Sequence, residues 1–380
     1  MADAIDLQAI LQRYLPVYRQ HHRLDLHRLQ VLSHLMQCRT EAMGGIALSC
    51  EPCQEVQTHY YACRDRHCPL CQWSASQHWA DKQRMAQLPV TYHHLVFTLP
   101  EMLNGWIELH PALIYGLLFQ TVWETLQAFG ADPKRLGGQL GMTAVLHTWG
   151  QTLTRHVHLH CLVPGGALSP QGDWKPSKSD YLFPVRALSR RFRGLMVSCL
   201  RASAQGEELS RVTRAGEVDG ILEQLMAQPW VVYSKPCLQA DHVIEYLARY
   251  THRTAISNGR LLGLEQDQVA VRYKDYRDQR WKVTQLQAEV FIQRFVQHLL
   301  PKGLMRIRHY GFLANACRAR QLPRIRQALA ETHQQDAEQQ QAEQERPGSA
   351  ESLCFLCPRC QRPMRVVAQL APQWKNWEGG

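Results

Sequence analysis

The sequence predicts an α+β fold, in which an antiparallel-sheet domain with flanking helices follows a small helical module of the zinc-ribbon type. Strand-like apolar runs alternate with helical ones from HHLVFTLP, at residues 93–100, to about residue 330. Six cysteines fall between positions 38 and 71, ahead of these runs. We therefore expect a helical and zinc-binding N-terminal domain over residues 1–80, a sheet domain over 81–330, and a Gln/Glu-rich linker with a loosely tethered, cysteine-containing tail over 331–380.

Charge and cysteine content narrow the class of protein. The 380 residues include 43 Lys plus Arg and 33 Asp plus Glu, a formal net charge of +10, which favours anionic partners such as nucleic acid. No apolar stretch approaches the about 20 residues of a membrane span, and MADAIDLQ at the N-terminus is unlike a secretion signal. We expect a cytoplasmic protein without a membrane span, and in such a protein 13 cysteines indicate metal thiolates before disulfides.

The two ends of the chain have contrasting patterns. Residues 5–37 repeat Leu, Ile and Val at helical spacing, and Pro16 interrupts the pattern, which predicts two amphipathic helices. Residues 333–352 are polar and rich in Gln and Glu, which is typical of a solvated helix that dissolves into a linker. Beyond them, CFLCPRC at residues 354–360 supplies half of a zinc ribbon, either completed from elsewhere or vestigial.

Two CxxC pairs, separated by 14 residues, have close to the spacing that surrounds one zinc ion with four thiolates. The predicted ligands are Cys50, Cys53, Cys68 and Cys71. A small module with a limited apolar core gains folding free energy from such an ion. Neighbouring residues could replace a ligand or build a second site: Cys38, Cys63, His59 and His67.

The segment HVHLHCLV, residues 156–163, predicts a strand with histidines on one face. Alternation places His156, His158 and His160 on one side, and Val157, Leu159, Cys161 and Val163 on the core side. Imidazoles two residues apart along a strand are about 7 Å apart, near enough for two of them to bind one cation.

A third metal ligand is predicted from the preceding strand, TAVLHTWGQ at residues 143–151. A hairpin centred between Thr154 and Arg155 would place Gln151 opposite His158. Gln151 is therefore the predicted third ligand, with His147 or His94 in reserve. Histidine plus amide ligation suits Mn²⁺ or Mg²⁺.

This histidine pattern fits two kinds of enzyme. His-triad nucleotide hydrolases use three alternating histidines with the central one as nucleophile, whereas HUH nucleases use a histidine pair to hold one divalent ion and a separate tyrosine helix as nucleophile. Residues 241–257 supply such a helix, because Tyr246 and Tyr250 are four positions apart and share one face. Arg249 and Arg253 lie beyond them, and phenols beside guanidiniums suit attack on a phosphodiester.

Further arginines cluster in two stretches and are expected to line a channel for single-stranded DNA. The first contains Arg186, Arg190, Arg191 and Arg193, and the second Arg306, Arg308, Arg318, Arg320, Arg324 and Arg326. Trp230 or Trp281 would serve as a stacking platform.

Over about residues 38 to 316, the chain resembles the HUH-type two-tyrosine rolling-circle transposases of bacterial insertion sequences, the insertion-sequence-91 family. The resemblance rests on CRTEAMGG, CRDRHCPLC, HLVFTLP, AVLHTWGQ, HVHLHCLVPGG, FPVRALSRRFRG, EYLARYTHR with AISN, and LPKGLMRIRHYGFLAN. It implies a palm-like (RRM-like) HUH endonuclease domain over 81–330, a divalent ion on His158 and His160, nucleophiles Tyr246 and Tyr250, and structural Zn²⁺ on the cysteines. His156 stands where relatives commonly have another residue.

The resemblance also implies partners and chemistry. The partner would be single-stranded DNA, both at the ends of the element and at the target. The protein would be associated with the bacterial nucleoid, and host replication machinery stays open as a further partner. The reaction would nick and rejoin DNA through a 5′-phosphotyrosine. A His-triad hydrolase and a non-enzymatic, zinc-dependent DNA-binding regulator are the alternatives.

Overall fold

A computed structural model of the chain describes residues 5–72, 76–77, 86–178, 181–212, 217–237, 254–334 and 355–373. The helices in these ranges are α1 Leu7–His21, α2 Leu26–Gln37, α3 Asn104–Leu109, α4 Pro111–Ala131, α5 Val185–Gln205, α6 Val218–Ala227, α7 Ala288–Val296 and α8 Arg318–Gln334. The strands are β1 Gly45–Cys50, β2 Glu55–Tyr60, β3 Tyr92–Thr98, β4 Gly141–Trp149, β5 Arg155–Pro164, β6 Gly166–Leu168, β7 Trp174–Pro176, β8 Val232–Cys237, β9 Leu261–Glu265, β10 Gln268–Asp275, β11 Arg280–Gln287, β12 Ile307–Gly311 and β13 Arg365–Leu370.

Two helices form near the N-terminus as predicted, but they do not part at Pro16. Helix α1 continues through Pro16 to His21, because apolar residues before and after the proline are buried on the same face. The chain breaks later, where the carboxylate of Asp25 caps α2 by accepting a hydrogen bond from the backbone N–H of Arg28 at 2.8 Å. Tertiary packing therefore outweighs the backbone hydrogen bond that the proline removes.

A five-stranded antiparallel sheet, in the order β12-β4-β5-β3-β8, forms the centre of the fold. One face is apolar: Phe97, Leu146 and Leu159 pack in one core with residues of helices α3 to α6. The opposite face carries the histidines of β5, and we call it the histidine face. The predicted mixed fold with an antiparallel sheet is confirmed.

A second apolar core joins distant parts of the chain. Helices α1 and α2 pack with the β9-β10-β11 sheet and α7, through residues such as Leu11, Leu32, Val271 and Phe295. The Tyr14 hydroxyl also donates a hydrogen bond of 2.6 Å to Asp267. Packing therefore crosses the boundary predicted near residue 80.

The C-terminal segment is fastened to the N-terminal part of the chain. Strand β13 pairs antiparallel with β1, which also pairs with β2 in a three-stranded sheet. Residues 365–370 are thus not loosely tethered, in contrast to the expectation for the tail. Within the described ranges, no helix is both long and apolar enough to cross a bilayer.

Candidate active site and metal centres

Strand β5 has the predicted alternation of faces. Val157, Leu159 and Cys161 are buried in the core beneath the helices. The three histidines lie on the other face, with His156 exposed, His158 half-buried and His160 buried. Because alternate side chains of a strand point to opposite faces, the core residues fix where the imidazoles point.

A fourth histidine on this face comes from β4. His147 pairs with His158 across the two strands, and the register shifts between His147 and Trp149. The connection is a loop in which the Gly150 N–H donates to the Thr154 carbonyl at 2.8 Å and Leu153 is buried with a φ of 60°. The loop spans residues 150–154 and is centred earlier in the chain than the predicted turn, so the β4 residue opposite His158 lies four positions before the predicted one.

The prediction that Gln151 lies opposite His158 is therefore wrong. Gln151 is in the loop, where its side-chain amide donates to the Tyr276 hydroxyl at 3.0 Å and its carbonyl accepts from Arg260. Of the two residues held in reserve, His147 takes the position beside the histidine pair.

His147, His158 and His160, hereafter the histidine cluster, offer ring nitrogens that all lie within 4.8 Å of one another. The His147 ring centroid is 4.6 Å from that of His160 and 5.4 Å from that of His158. His147 is 2% exposed and His160 is 7% exposed, so the sheet and its neighbours fix both rings. Three imidazoles at these separations can hold one divalent cation.

Neighbouring groups orient two of these imidazoles. The Nδ1–H of His158 can donate to the His156 carbonyl at 2.8 Å, which leaves Nε2 as the ligand atom. His160 Nδ1 is 2.9 Å from Nε2 of His94. Burial, with a smaller contribution from Lys235, lowers the pKa of His94 to about 4, so His94 is neutral at pH 7 and can accept the Nδ1 proton of His160.

The cysteines form two clusters rather than the predicted single one. Cys38, Cys63, Cys68 and Cys71, the Cys38 cluster, place their sulfurs within 4.8 Å of one another. Cys50 and Cys53 instead meet Cys357 and Cys360, and we call these four residues the Cys357 cluster. The two CxxC pairs separate because Cys50 ends β1 while Cys68 and Cys71 pack beneath α2 in the second apolar core.

The structure contradicts the possible role of His67 as an additional zinc ligand. Its Nδ1 lies 2.8 Å from the Asp65 carboxylate, and its Nε2 accepts the Leu300 N–H at 3.1 Å. Both ring nitrogens are therefore engaged away from the sulfurs. His156, the first of the three alternating histidines, lies outside the histidine cluster, although its ring contacts that of His158.

The predicted DNA-binding arginines fall into two groups. Arg190 and Arg191 are exposed on α5. Arg306 is buried and donates to Gln72, and burial lowers its pKa to about 10, so it supports the fold instead of a DNA channel. Arg193 donates to the Gln228 carbonyl at 2.9 Å, and Arg308 lies over the Phe119 ring.

Of the two tryptophans predicted to stack on DNA bases, one is buried and the other is exposed. Trp230 is buried and hydrogen-bonded to the Leu225 carbonyl, so it cannot stack on bases, whereas Trp281 is exposed beside Arg272. The predicted nucleophiles and their arginines lie outside the described residues: Tyr246, Tyr250, Arg249 and Arg253.

A basic groove that the sequence did not indicate lies between α1, α2, α3, the start of β5 and α7. It encloses about 640 Å³, and its lining includes Arg23, Arg28, Arg155 and Arg294. Arg23 lies in the connection between α1 and α2, Arg28 on α2, Arg155 on β5 and Arg294 on α7, so the four come from three separate regions of the sequence. Only the fold brings them together.

Two ranges of the chain match known protein families. Residues 141–321 match the family described as putative transposase, and residues 10–99 match the transposase zinc-binding domain. The chain is 39% identical to the putative transposase y4qJ of Sinorhizobium fredii over 374 residues, 95% of this chain and 94% of the relative. It is 29% identical to the transposase for insertion sequence element IS801 of Pseudomonas savastanoi pv. phaseolicola over 321 residues, 79% of this chain and 74% of the relative. No solved structure matches the chain.

The matched ranges contain two of the sites described above. The histidine cluster lies within the putative transposase match, and the Cys38 cluster lies within the zinc-binding domain match, which together with its four thiols supports a structural zinc ion there. The family predicted from the sequence motifs is confirmed by both matches and by the two relatives. The chain belongs to the insertion-sequence-91 family of bacterial transposases, with a transposase zinc-binding domain at its N-terminus.

Proposed function

We propose that this transposase nicks and rejoins single-stranded DNA through a 5′-phosphotyrosine intermediate and so drives rolling-circle transposition of an insertion sequence. The observation that carries the proposal is the convergence of His147, His158 and His160 on one face of the central sheet. Membership of a transposase family supports DNA as the substrate.

The histidine cluster would hold the catalytic cation, Mn²⁺ or Mg²⁺. When bound, such a cation polarises the scissile phosphate and stabilises the charge that develops on it. Three nitrogen ligands favour Mn²⁺ over Mg²⁺, because Mg²⁺ prefers oxygen ligands. Three neutral ligands also leave coordination positions for phosphate oxygens and water.

The nucleophiles we propose are Tyr246 and Tyr250. The tyrosine Oη attacks the scissile phosphorus, the bond from phosphorus to the 3′ oxygen breaks, and that oxygen takes up a proton. The products are a 5′-phosphotyrosine and a free 3′ hydroxyl, and attack of a 3′ hydroxyl on the phosphotyrosine rejoins the strand. Two tyrosines allow one to retain the donor end while the other cleaves a second site.

Chain connectivity is compatible with this arrangement. Strand β8 is next to β3 in the sheet and ends at Cys237, nine residues before Tyr246. A connection of nine residues spans at most about 30 Å, so the chain length does not oppose a nucleophile that acts near this sheet. The basic groove and the exposed arginines of α5 are our candidates for the DNA path.

A covalent-adduct assay tests the proposal. Labelled single-stranded oligonucleotides tiled across both ends of the insertion sequence are incubated with the purified protein and Mn²⁺, and protein-linked label is followed on denaturing gels. We expect an adduct that the Tyr246→Phe/Tyr250→Phe variant does not form. Tyr233→Phe is the matched control, because Tyr233 is an exposed tyrosine on the histidine face and is expected to leave the adduct intact.

The same assay separates the alternatives. A His-triad hydrolase would need no added metal, would lose activity in His158→Ala and would be insensitive to both tyrosine substitutions. A DNA-binding regulator would bind the oligonucleotides without cleaving them. Parental nicking by the double tyrosine variant would refute the proposed nucleophiles.

A further inference from the structure

The Cys357 cluster joins two parts of the chain that are far apart in sequence. The Sγ atoms of Cys50 and Cys360, 310 positions apart, are 3.5 Å from each other, and all four sulfurs of the cluster lie within 4.8 Å of one another. Four sulfurs at about 2.3 Å from a tetrahedral zinc ion would be about 3.8 Å apart. The observed spacing therefore fits one zinc ion.

Both halves of the cluster have a left-handed residue directly after the second cysteine. Gln54 follows Cys53 with a φ of 54°, and Gln361 follows Cys360 with a φ of 58°. In the Cys38 cluster, Arg39 and Arg64 likewise follow a cysteine with φ values of 59° and 55°. Residues other than glycine rarely adopt this left-handed conformation, so its repetition after the cysteines indicates a common geometric requirement.

Apolar packing around the cluster is too small to hold the C-terminal segment by itself. All six residues of β13 are exposed. The buried residues around the cluster are Leu48 and Met364 together with Cys50 and Cys357. The Arg365–Glu51 ion pair adds little, because both side chains are largely exposed. A segment with so little core requires another source of stability, such as a metal ion.

The β1 side of the sheet is shaped to receive this segment. Gly44 has a φ of 68°, and a Cβ atom there would lie 2.5 Å from the Leu370 carbonyl oxygen and 2.7 Å from the Pro372 nitrogen. Only glycine fits both the backbone conformation and the close approach of the C-terminal strand. The glycine at position 44 thus agrees with the pairing of β1 and β13.

We infer that Cys50, Cys53, Cys357 and Cys360 bind a second structural zinc ion, which fastens residues 355–370 to the β1–β2 hairpin. The site lies partly outside residues 10–99, the range matched by the zinc-binding domain. It adds a metal-dependent connection between the two ends of the transposase. The inference does not depend on the proposed cleavage chemistry.

Metal counting on the full-length chain tests the inference. Zinc per chain is measured by mass spectrometry in a His158→Ala background, so that the histidine cluster does not contribute. We expect two zinc ions per chain, and one after Cys357→Ser/Cys360→Ser. The opposite pair, Cys50→Ser/Cys53→Ser, should give the same loss, whereas the control Cys199→Ser/Cys317→Ser should keep both ions because those cysteines belong to neither cluster.

Hydrogen exchange provides the second measurement. Amides of Val366 to Gln369 should be protected when zinc is bound and should exchange at least tenfold faster in Cys357→Ser/Cys360→Ser, with exchange in the central sheet unchanged. Titration of the metal-free protein with Co²⁺ should show two equivalents of tetrathiolate absorption. One zinc ion or one cobalt equivalent in the parent chain, or two zinc ions in Cys357→Ser/Cys360→Ser, would refute the second site.

Discussion

The histidine cluster and the Cys38 cluster both gather metal-ligand atoms within 4.8 Å of one another, but their surroundings differ. The histidines lie on two paired strands of the central sheet, whose other face is packed with apolar side chains. The Cys38 cluster lies among a turn, a loop and the end of α2, where Cys38 and Cys71 are themselves part of the apolar core.

The number and type of ligands differ as well. Four thiolates complete a tetrahedral shell around zinc and leave no position for a substrate, whereas three neutral imidazoles leave positions open. The sheet keeps its shape without the cation because its own core supports it. A cation on the histidines should therefore affect chemistry more than folding, and a cation on the cysteines should do the reverse.

The largest effect of all, a loss of folding stability, is expected from Cys68→Ser. Loss of one thiolate should abolish tight zinc binding, and structural zinc contributes on the order of 10 kcal/mol in small domains. Because the cluster shares a core with α1, α2 and α7, the second core should unfold with it. Thermal unfolding followed by circular dichroism should show a lost or strongly lowered transition, and Cys199→Ser should leave it unchanged. A stable Cys68→Ser protein with parental zinc content would show that the Cys38 cluster does not hold a structural zinc ion.

His160→Ala should lower the nicking rate strongly and the stability only slightly. Removal of a direct ligand should weaken Mn²⁺ binding and lower the nicking rate by more than the about 10- to 100-fold that is typical of outer-shell residues. The melting temperature should change far less than in Cys68→Ser, because apolar packing on the other face holds β5. Nicking kinetics and calorimetric Mn²⁺ titration check this, with His156→Ala as the control. Parental nicking by His160→Ala would remove the histidine cluster from the mechanism.

His94→Ala should weaken Mn²⁺ binding and nicking less than His160→Ala does. His94 contacts His160 without belonging to the cluster, so its loss should weaken Mn²⁺ binding by about 10-fold through a less constrained imidazole. Excess Mn²⁺ should restore most of the nicking rate, which distinguishes an orienting role from direct ligation. His94→Gln, which keeps a hydrogen-bonding side chain, should lie between the parent and His94→Ala. An unchanged Mn²⁺ affinity in His94→Ala would refute this role.

Local sequence patterns predicted the strand and its faces, but not the contacts made over long distances. The period of two in HVHLHCLV determines which side chains share a face, so the placement of His158 and His160 followed directly. The pairing of Cys50 with Cys360 did not, because the thiol spacing of Cys50, Cys53, Cys68 and Cys71 fits a single zinc site equally well. Only the β1–β13 pairing reveals the correct grouping.

The smallest effect on Mn²⁺ affinity and nicking rate is expected at Gln151, where the predicted strand register is wrong. Hairpin register depends on where the loop lies, and the loop at residues 150–154, which contains the buried Leu153 with its left-handed backbone, is centred before the turn that the sequence indicated. Gln151 therefore contacts Tyr276 instead of the histidines, and Gln151→Ala should change the Mn²⁺ affinity and the nicking rate by less than about twofold. His147→Ala, measured in parallel, should resemble His160→Ala. If Gln151→Ala lost activity as His147→Ala does, the amide would have to reach the cation in the DNA-bound enzyme, and the three-histidine ligand set would be wrong.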